Sequence, residues 1–296
     1  MNEQTIYALG FFDGVHLGHQ ALLEACRHLA GRTDCGAGVV TFGSHPDTLV
    51  MGKTPQLINT VAERQRLLLG YGMERIEVLP FDEKLMQMPW REFIRMLRAA
   101  PYHAAGFVCG SDFRFGHNGE GTAEVLGQYC SDASLPYAIV PQQTLEDTRI
   151  SSTYIRSLLV QGDIRRANRF LGHPHSLTGQ VVKGRGLGHT IGIPTANLVL
   201  PEGVVCPRFG VYASKAILAG REYLAVTNIG TRPTVGGENV TVEPWILDFD
   251  GDIYGQPLTL LFYDFLRPEQ KFDSLEELKA EIEKNAAQTR KILGNS

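Results

Sequence analysis

The rhythm of apolar residues changes once along this chain of 296 residues, near residue 172, and that change limits the architectures open to it. Up to about Leu171, short β-type runs ("TIYAL", "AGVVTF", "RIEVLPF", "AAGFVCG" and "LPYAIVP") alternate with helical stretches near 18–30, 60–69 and 90–99. Thr60 followed by Glu63 makes a capping box for the second of these helices, with Val61, Leu67 and Leu68 as apolar backing. Strand and helix repeated in this way build a parallel sheet covered on both faces, with ligands at the C-terminal strand ends. After "HPHSLTG" the pattern turns to strand and turn: "TGQVVKG", "GVYASKAI", "REYLAVTNIG", "VEPWILDFDGDIYG" and "LTLLFYDFL". This half is expected to be a small antiparallel barrel, with Asp250-Gly251 as a hairpin turn. One amphipathic helix from Ser274 closes it, boxed by Glu277, with Leu275, Leu278, Ile282 and Ala286 on one face. Two domains are therefore expected, 1–172 and 173–296, which the chain length accommodates.

Composition narrows the partners. Hydrophobic residues at 43% and charged residues at 20% belong to a globular protein with a real core. A net charge of −4 argues against wholesale nucleic-acid binding, so an anionic ligand must be held by local groups. The cysteines, Cys26, Cys35, Cys109, Cys130 and Cys206, are odd in number and scattered, which fits reduced thiols better than a disulfide or zinc framework. The N-terminus has no signal-peptide pattern and no run of about 18 apolar residues occurs, so a cytoplasmic location without membrane contact is expected.

The first constellation is "GFFDGVHLGHQALLEACRHLA", in which a strand end, a turn and a helix start carry His16 and His19 around Gly18. Histidines at i and i+3 share a helix face, and the helix N-terminus adds unpaired N–H groups and partial positive charge. That combination suits a triphosphate, with the imidazoles donating to oxygens that gain charge during displacement. The competing reading is a pair of capping or surface histidines; a zinc site is weaker, since His45 is the nearby third ligand on offer.

The second constellation is "VVKGRGLGHTIGIPTANLVL" with "TVEPWILDF". Gly184, Gly186, Gly188 and Gly192 could curl backbone N–H groups around phosphate, although no Walker A lysine follows and a turn-rich loop needs glycine anyway. Thr195 and Asn197 offer hard oxygen donors for Mg²⁺. Glu243 could take the proton of an alcohol during phosphoryl transfer, or could be a solvent-facing strand residue.

Taken together, "GFFDGVHLGH", "VTFGSHP", "GSDFRFG" and "ISSTYIRSLL", followed by the second half, resemble the prokaryotic bifunctional riboflavin kinase/FAD synthetase family nearly end to end. The resemblance implies a Rossmann-like HxGH nucleotidylyltransferase domain that adenylylates FMN, and a six-stranded antiparallel barrel with a terminal helix that phosphorylates riboflavin. It implies ATP as substrate of both steps, Mg²⁺ as cofactor, riboflavin, FMN and FAD as ligands, and a monomer or weak oligomer. His16, His19 and Glu243 would be catalytic. Gly14, Gly18, His45, Ser151, Ser152, Thr153, Arg156, Gly184, Gly188, Gly192 and Asn197 would bind ATP or phosphate. Gly110, Asp112, Phe113, Arg149 and Arg267 would bind flavin, and Thr195 with Asn197 the metal. Ser44, Tyr154, His189 and Trp245 depart from the family pattern; the last three raise the alternative of one live half, and a flavin sensor without turnover is the other alternative.

Overall fold

The computed structural model describes residues 4–183, 192–234 and 237–294. By packing, the chain divides into two compact units, Met1–Ser152 and Thr153–Ser296.

The first unit is built on five parallel strands in the order β3-β2-β1-β4-β7. They are β1 (Thr5–Leu9), β2 (Gly36–Phe42), β3 (Arg75–Leu79), β4 (Ala104–Gly110) and β7 (Tyr137–Val140). The helices between them are α1 (Leu17–Arg32), the short α2 (Asp47–Val50), α3 (Val61–Gly70), the short α4 (Glu83–Met86), α5 (Trp90–Arg98) and α6 (Ala123–Asp132). Two small hairpins, β5 (Arg114–Phe115) with β6 (Gly121–Thr122) and β8 (Thr144–Leu145) with β9 (Thr148–Arg149), complete it.

The sheet is apolar on both sides because β1 alternates within a fully buried strand. Ile6 and Ala8 join Leu23, Cys26 and Leu68 on one face. Tyr7 and Leu9 join Phe93, Leu97 and Phe107 on the other. All five expected strands are present, as are the helices of 18–30, 60–69 and 90–99. The Thr60–Glu63 capping box closes reciprocally at the start of α3. The chain order reverses between β1 and β4, so their carboxyl ends open a crevice there.

The second unit begins with α7 (Ser152–Gln161) and α8 (Ile164–Leu171), followed by β10 (His175–Val182), β11 (Asn197–Val199), β12 (Gly210–Leu218), β13 (Arg221–Thr234), β14 (Gly237–Ile246), β15 (Pro257–Arg267) and α9 (Leu275–Leu293). The strands close a six-stranded antiparallel barrel, β10-β11-β14-β13-β12-β15. Asn168 on α8 ties helix to barrel, accepting from the His175 amide at 2.8 Å and donating to the Phe262 carbonyl at 2.7 Å. That bonding explains why residues 153–171, helical like the first half in pattern, pack with the second.

One turn expectation is corrected. β14 and β15 are not neighbours in the barrel, so Asp250-Gly251 belongs to a long crossing segment rather than a hairpin. A tight hairpin instead joins β12 to β13 through Ala219 (φ 47°) and Gly220 (φ 77°). Two positive φ angles match the twist of the flanking strands, and alanine at the first is what hid the turn from composition.

His175 creates a liability in this barrel. It is fully buried, its ring tilted 5.8 Å from Phe262, and both ring nitrogens lack hydrogen-bond partners. Burial, with repulsion from His173 second, pushes its pKa down to about 3. The folded chain thus holds it neutral between pH 6.5 and about 3 while the unfolded chain protonates it, costing about 1.4 kcal/mol of stability per pH unit of acidification in that window. His175→Phe should remove this slope: urea midpoints measured at pH 7.5, 6 and 5 should fall less steeply for the variant than for the parent chain.

Candidate active sites

The turn between β1 and α1 shapes the first site. Phe12 (φ 60°), Gly14 (φ 79°) and Val15 (φ 41°) all adopt left-handed backbone, costly for the non-glycine residues and held by three side-chain bonds. Buried Asp13 accepts from the Ile58 amide at 2.8 Å, Thr41 Oγ1 donates to the Phe11 carbonyl at 2.8 Å, and Ser152 Oγ donates to the Asp13 carbonyl at 2.9 Å. Ser152 therefore fastens the turn. The strained path delivers His16 to the N-cap of α1, where its Nδ1 accepts from the His19 amide at 3.3 Å. His16 is thus both a cap and a site residue, and its proton sits on Nε2.

The two imidazoles stack with centroids 3.6 Å apart and planes 13° from parallel. A Cβ on Gly18 would lie 3.2 Å from the His16 ring, so glycine there makes room for the histidine as well as for a ligand. Burial, then His16, then Arg64 hold the His19 pKa well below 6.5, so the ring is neutral at physiological pH.

A cavity of about 310 Å³ opens above this helix start at the β1/β4 crevice. Its walls bring together Gly18, His16 and His19 with Gly110, Asp112 and Phe113, and with Arg149, Ser151 and Ser152. Asp112 and Arg149 are paired with each other at 2.6 Å, with Gln142 donating to the same carboxylate at 3.2 Å. Both are about half exposed, so the pair adds little to stability. His45 follows β2, its Nδ1 accepting from the Asp47 amide at 3.1 Å and its ring set edge-on to Phe11 at 4.6 Å. Thr153 and Arg156 fall in the second unit on the first turn of α7, where Arg156 donates to the Thr153 hydroxyl at 3.1 Å. Tyr154 packs edge-on to Phe170 at 4.9 Å.

Sequence reasoning passed over Arg64. It lies on the apolar stripe of α3 between Val61 and Leu68, 1% exposed, and a charge at such a position was the available signal. Its Nη2 donates to the Phe42 carbonyl at 2.5 Å and its guanidinium lies 4.3 Å above the Phe11 ring. Burial lowers its pKa to about 10, against attraction from Asp13, which leaves it charged at neutral pH.

In the barrel, two cavities share Thr195 as a wall. One, of about 380 Å³, is lined by Pro194, Ala196, Asp250, Asp252 and Tyr254. The crossing segment mistaken for a hairpin is therefore the rim of a site. The other, of about 490 Å³, holds Glu243, Asn228, Trp245 and Arg267, with Leu278 and Ile282 of α9 opposite. The apolar stripe of α9 thus divides its work: Ala286 packs on the barrel, whereas Leu275, Leu278 and Ile282 line the cavity. Glu243 is opposite Asn228 in the β13–β14 register. Asn197, 8% exposed, stands two residues from Thr195 at the start of β11, and the Ala196 amide between them donates to the Pro244 carbonyl at 2.9 Å.

Arg267 lines the same cavity, but its Nε donates to Asn285 at 3.1 Å and its guanidinium meets Glu281 at 3.5 Å, binding α9 to the barrel. Gly192 adopts φ 74° on an exposed turn. Gly184, Gly186, Gly188 and His189 lie outside the described residues.

Comparison with known proteins agrees with this division. The FAD synthetase family model matches residues 1–154 and the riboflavin kinase model residues 171–293. A bifunctional riboflavin kinase/FMN adenylyltransferase from Listeria monocytogenes is 34% identical over 96% of this chain and 91% of its own length. Its counterpart from Escherichia coli K12 is 35% identical over 99% and 94%. A solved structure described as a macrolide-efflux protein from Streptococcus pneumoniae superposes with a TM-score of 0.89 at 33% identity, covering 98% of this chain and 95% of that one. Among the described residues no helix is long and apolar enough to cross a membrane. With both halves matched in order and the likeness running through nearly the whole length, the chain belongs to the bifunctional riboflavin kinase/FMN adenylyltransferase family.

Proposed function

We propose that the chain makes FAD in two ATP-dependent steps, phosphorylating riboflavin to FMN in the barrel and adenylylating FMN in the first unit. The observation that carries the reading is the pair of barrel cavities that share Thr195, the larger holding Glu243 against an apolar helix wall, together with a cavity in the first unit over a helix N-terminus that presents His16 and His19.

In the kinase step, the larger cavity takes the flavin, its apolar α9 wall facing the ring system, and the smaller takes ATP. Glu243 accepts the proton of the ribityl hydroxyl as that oxygen attacks the γ-phosphorus and ADP departs. The Thr195 hydroxyl and the Asn197 amide are hard donors suited to Mg²⁺, and among the described residues no three His, Cys, Asp or Glu side chains converge. Such a site would hold the ion chiefly through nucleotide oxygens, and the bound ion would neutralise charge on the transferring phosphoryl group.

In the adenylyl step, an FMN phosphate oxygen attacks the α-phosphorus of ATP and pyrophosphate leaves. His16, protonated on Nε2, and His19, neutral, donate to oxygens that gain charge in the transition state, aided by the α1 N-terminus. Ser151 would hold the departing pyrophosphate, and Gly110, Phe113, Asp112 and Arg149 the flavin. A net charge of −4 fits a chain without nucleic-acid partners, which we take to act in the cytosol as a monomer or weak oligomer.

The purified chain, given riboflavin, ATP and Mg²⁺ and assayed by flavin chromatography, should form FMN and then FAD; FMN alone, or flavin bound without conversion, would refute the two-step reading. Glu243→Gln should cut riboflavin phosphorylation by about 10²–10⁴-fold while sparing FAD formation from supplied FMN. His19→Ala should do the reverse, lowering adenylyl transfer by about 10²–10³-fold. Arg149→Ala should raise the KM for FMN several-fold in the adenylyl assay with the melting temperature within about 1 °C, since its ion pair is exposed.

A further inference from the structure

Arg64 is a poor choice for stability. An apolar side chain there would complete the Val61–Leu68 stripe of α3, and replacing a buried charge by a well-packed apolar residue is often neutral or stabilising. The guanidinium has one hydrogen-bonded nitrogen, Nη2 to Phe42, while Nε and Nη1 lack partners. Asn59, also 1% exposed with both amide atoms unpartnered, stands at N′ of the same helix and Arg64 at N4. Those are the positions that normally form a hydrophobic staple, and here both are polar.

What surrounds Arg64 is the adenylyl site. It touches the end of β2 through Phe42, three residues before His45, and lies on Phe11, which lines the cavity and meets the His45 ring. Asp13, its electrostatic partner, pins the strained turn. We propose that Arg64 is a positioning residue for adenylyl transfer: a buried charge that braces the β1–α1 turn against the end of β2 and so fixes where His16 and His19 meet the phosphates. The groups that bear on His19 are His16, stacked on it, Phe12 at 5.1 Å, Arg64, and more distantly Asp13 and the Asp112–Arg149 pair at the cavity wall. A proton added to His19 would be repelled by Arg64. Loss of the Arg64 charge should therefore raise the pH at which His19 protonates, burial and His16 still holding it down.

The inference rests on the adenylyl-transfer reading, and conversion of FMN to FAD by the parent chain tests that reading separately. Arg64→Met and Arg64→Lys, made in the full chain, would be compared by kcat and KM for adenylyl transfer from pH 5 to 9, by His19 titration in NMR, and by riboflavin phosphorylation in the same preparations. Arg64→Met should lower adenylyl-transfer kcat by about 10- to 100-fold with KM changed less than about threefold. Its acid limb and its His19 titration should both move to higher pH, with phosphorylation within about twofold of the parent. Arg64→Lys, which keeps the charge but not the planar brace, should lower kcat less and leave the acid limb in place. An unmoved His19 titration in Arg64→Met would reduce Arg64 to a space filler. If that variant does not fold, a parental kcat or a displaced acid limb in Arg64→Lys overturns the proposal.

Discussion

A backbone that must pass from β1 into α1 within seven residues does so here through left-handed conformations at Phe12, Gly14 and Val15, and the first site depends on their being held. The strain is offset by long-range bonds. Ile58 reaches Asp13 from the loop before α3, Thr41 reaches Phe11 from β2, and Ser152 reaches Asp13 from the far end of the unit. Each connects the turn to an element that also lines or backs the cavity, so the parallel sheet serves as the frame against which a strained segment is fixed. Stacking of His16 on His19 follows from this path, since it places His16 at the N-cap and His19 one turn on.

Much of this was legible from periodicity. β1 and β2 are short apolar runs bounded by glycine or polar residues, and the Thr60–Glu63 box announced α3. The HxGH pair was legible because strand, turn and helix follow in order, a context rather than a string. Illegible features depend on long-range packing. Ser152 lines the cavity, but the bond of its hydroxyl to Asp13, 139 residues away in sequence, could not be read from the chain. Arg267 lines the cavity with Glu243, and its bonds to Asn285 and Glu281 lie on a helix that sequence spacing cannot place. Asp250-Gly251 carried a hairpin signal, but turn chemistry says that the chain bends and not which strand it meets next. The helices α7 and α8 have the pattern of a continued α/β rhythm, and long-range bonds such as the two of Asn168 and the Arg165–Asp264 pair attach them to the barrel.

The barrel solves its packing problem with a seam rather than a strained turn. Ser214 and Thr227 hydrogen-bond at 2.7 Å inside the β12–β13 pair, and Val211, Val226, Leu247 and Ala286 form the cluster under α9. With the C-terminal part of α9 seated there, its N-terminal part is left over the cavity that contains Glu243. A helix whose apolar stripe is longer than the core it covers makes one wall of a pocket suited to a flat apolar ligand.

On the proposed reading, the two units differ in their titratable groups as the two nucleophiles require. An alcohol, like water with its pKa of about 15.7, holds its proton at neutral pH, so a site that uses one needs an acceptor, and the barrel cavity has Glu243. A phosphate monoester has lost its second proton by about pH 6 and needs none. A bare carboxylate beside it would only repel. The first unit fits that requirement: Asp13 is committed to the Ile58 amide, and Asp112 is neutralised by Arg149. What the attack of one anion on another needs is donors that do not themselves carry a proton away. On the proposed reading the stacked pair supplies that, with His19 held neutral by burial, then His16, then Arg64, so the same chain would use a carboxylate in one cavity and histidines in the other.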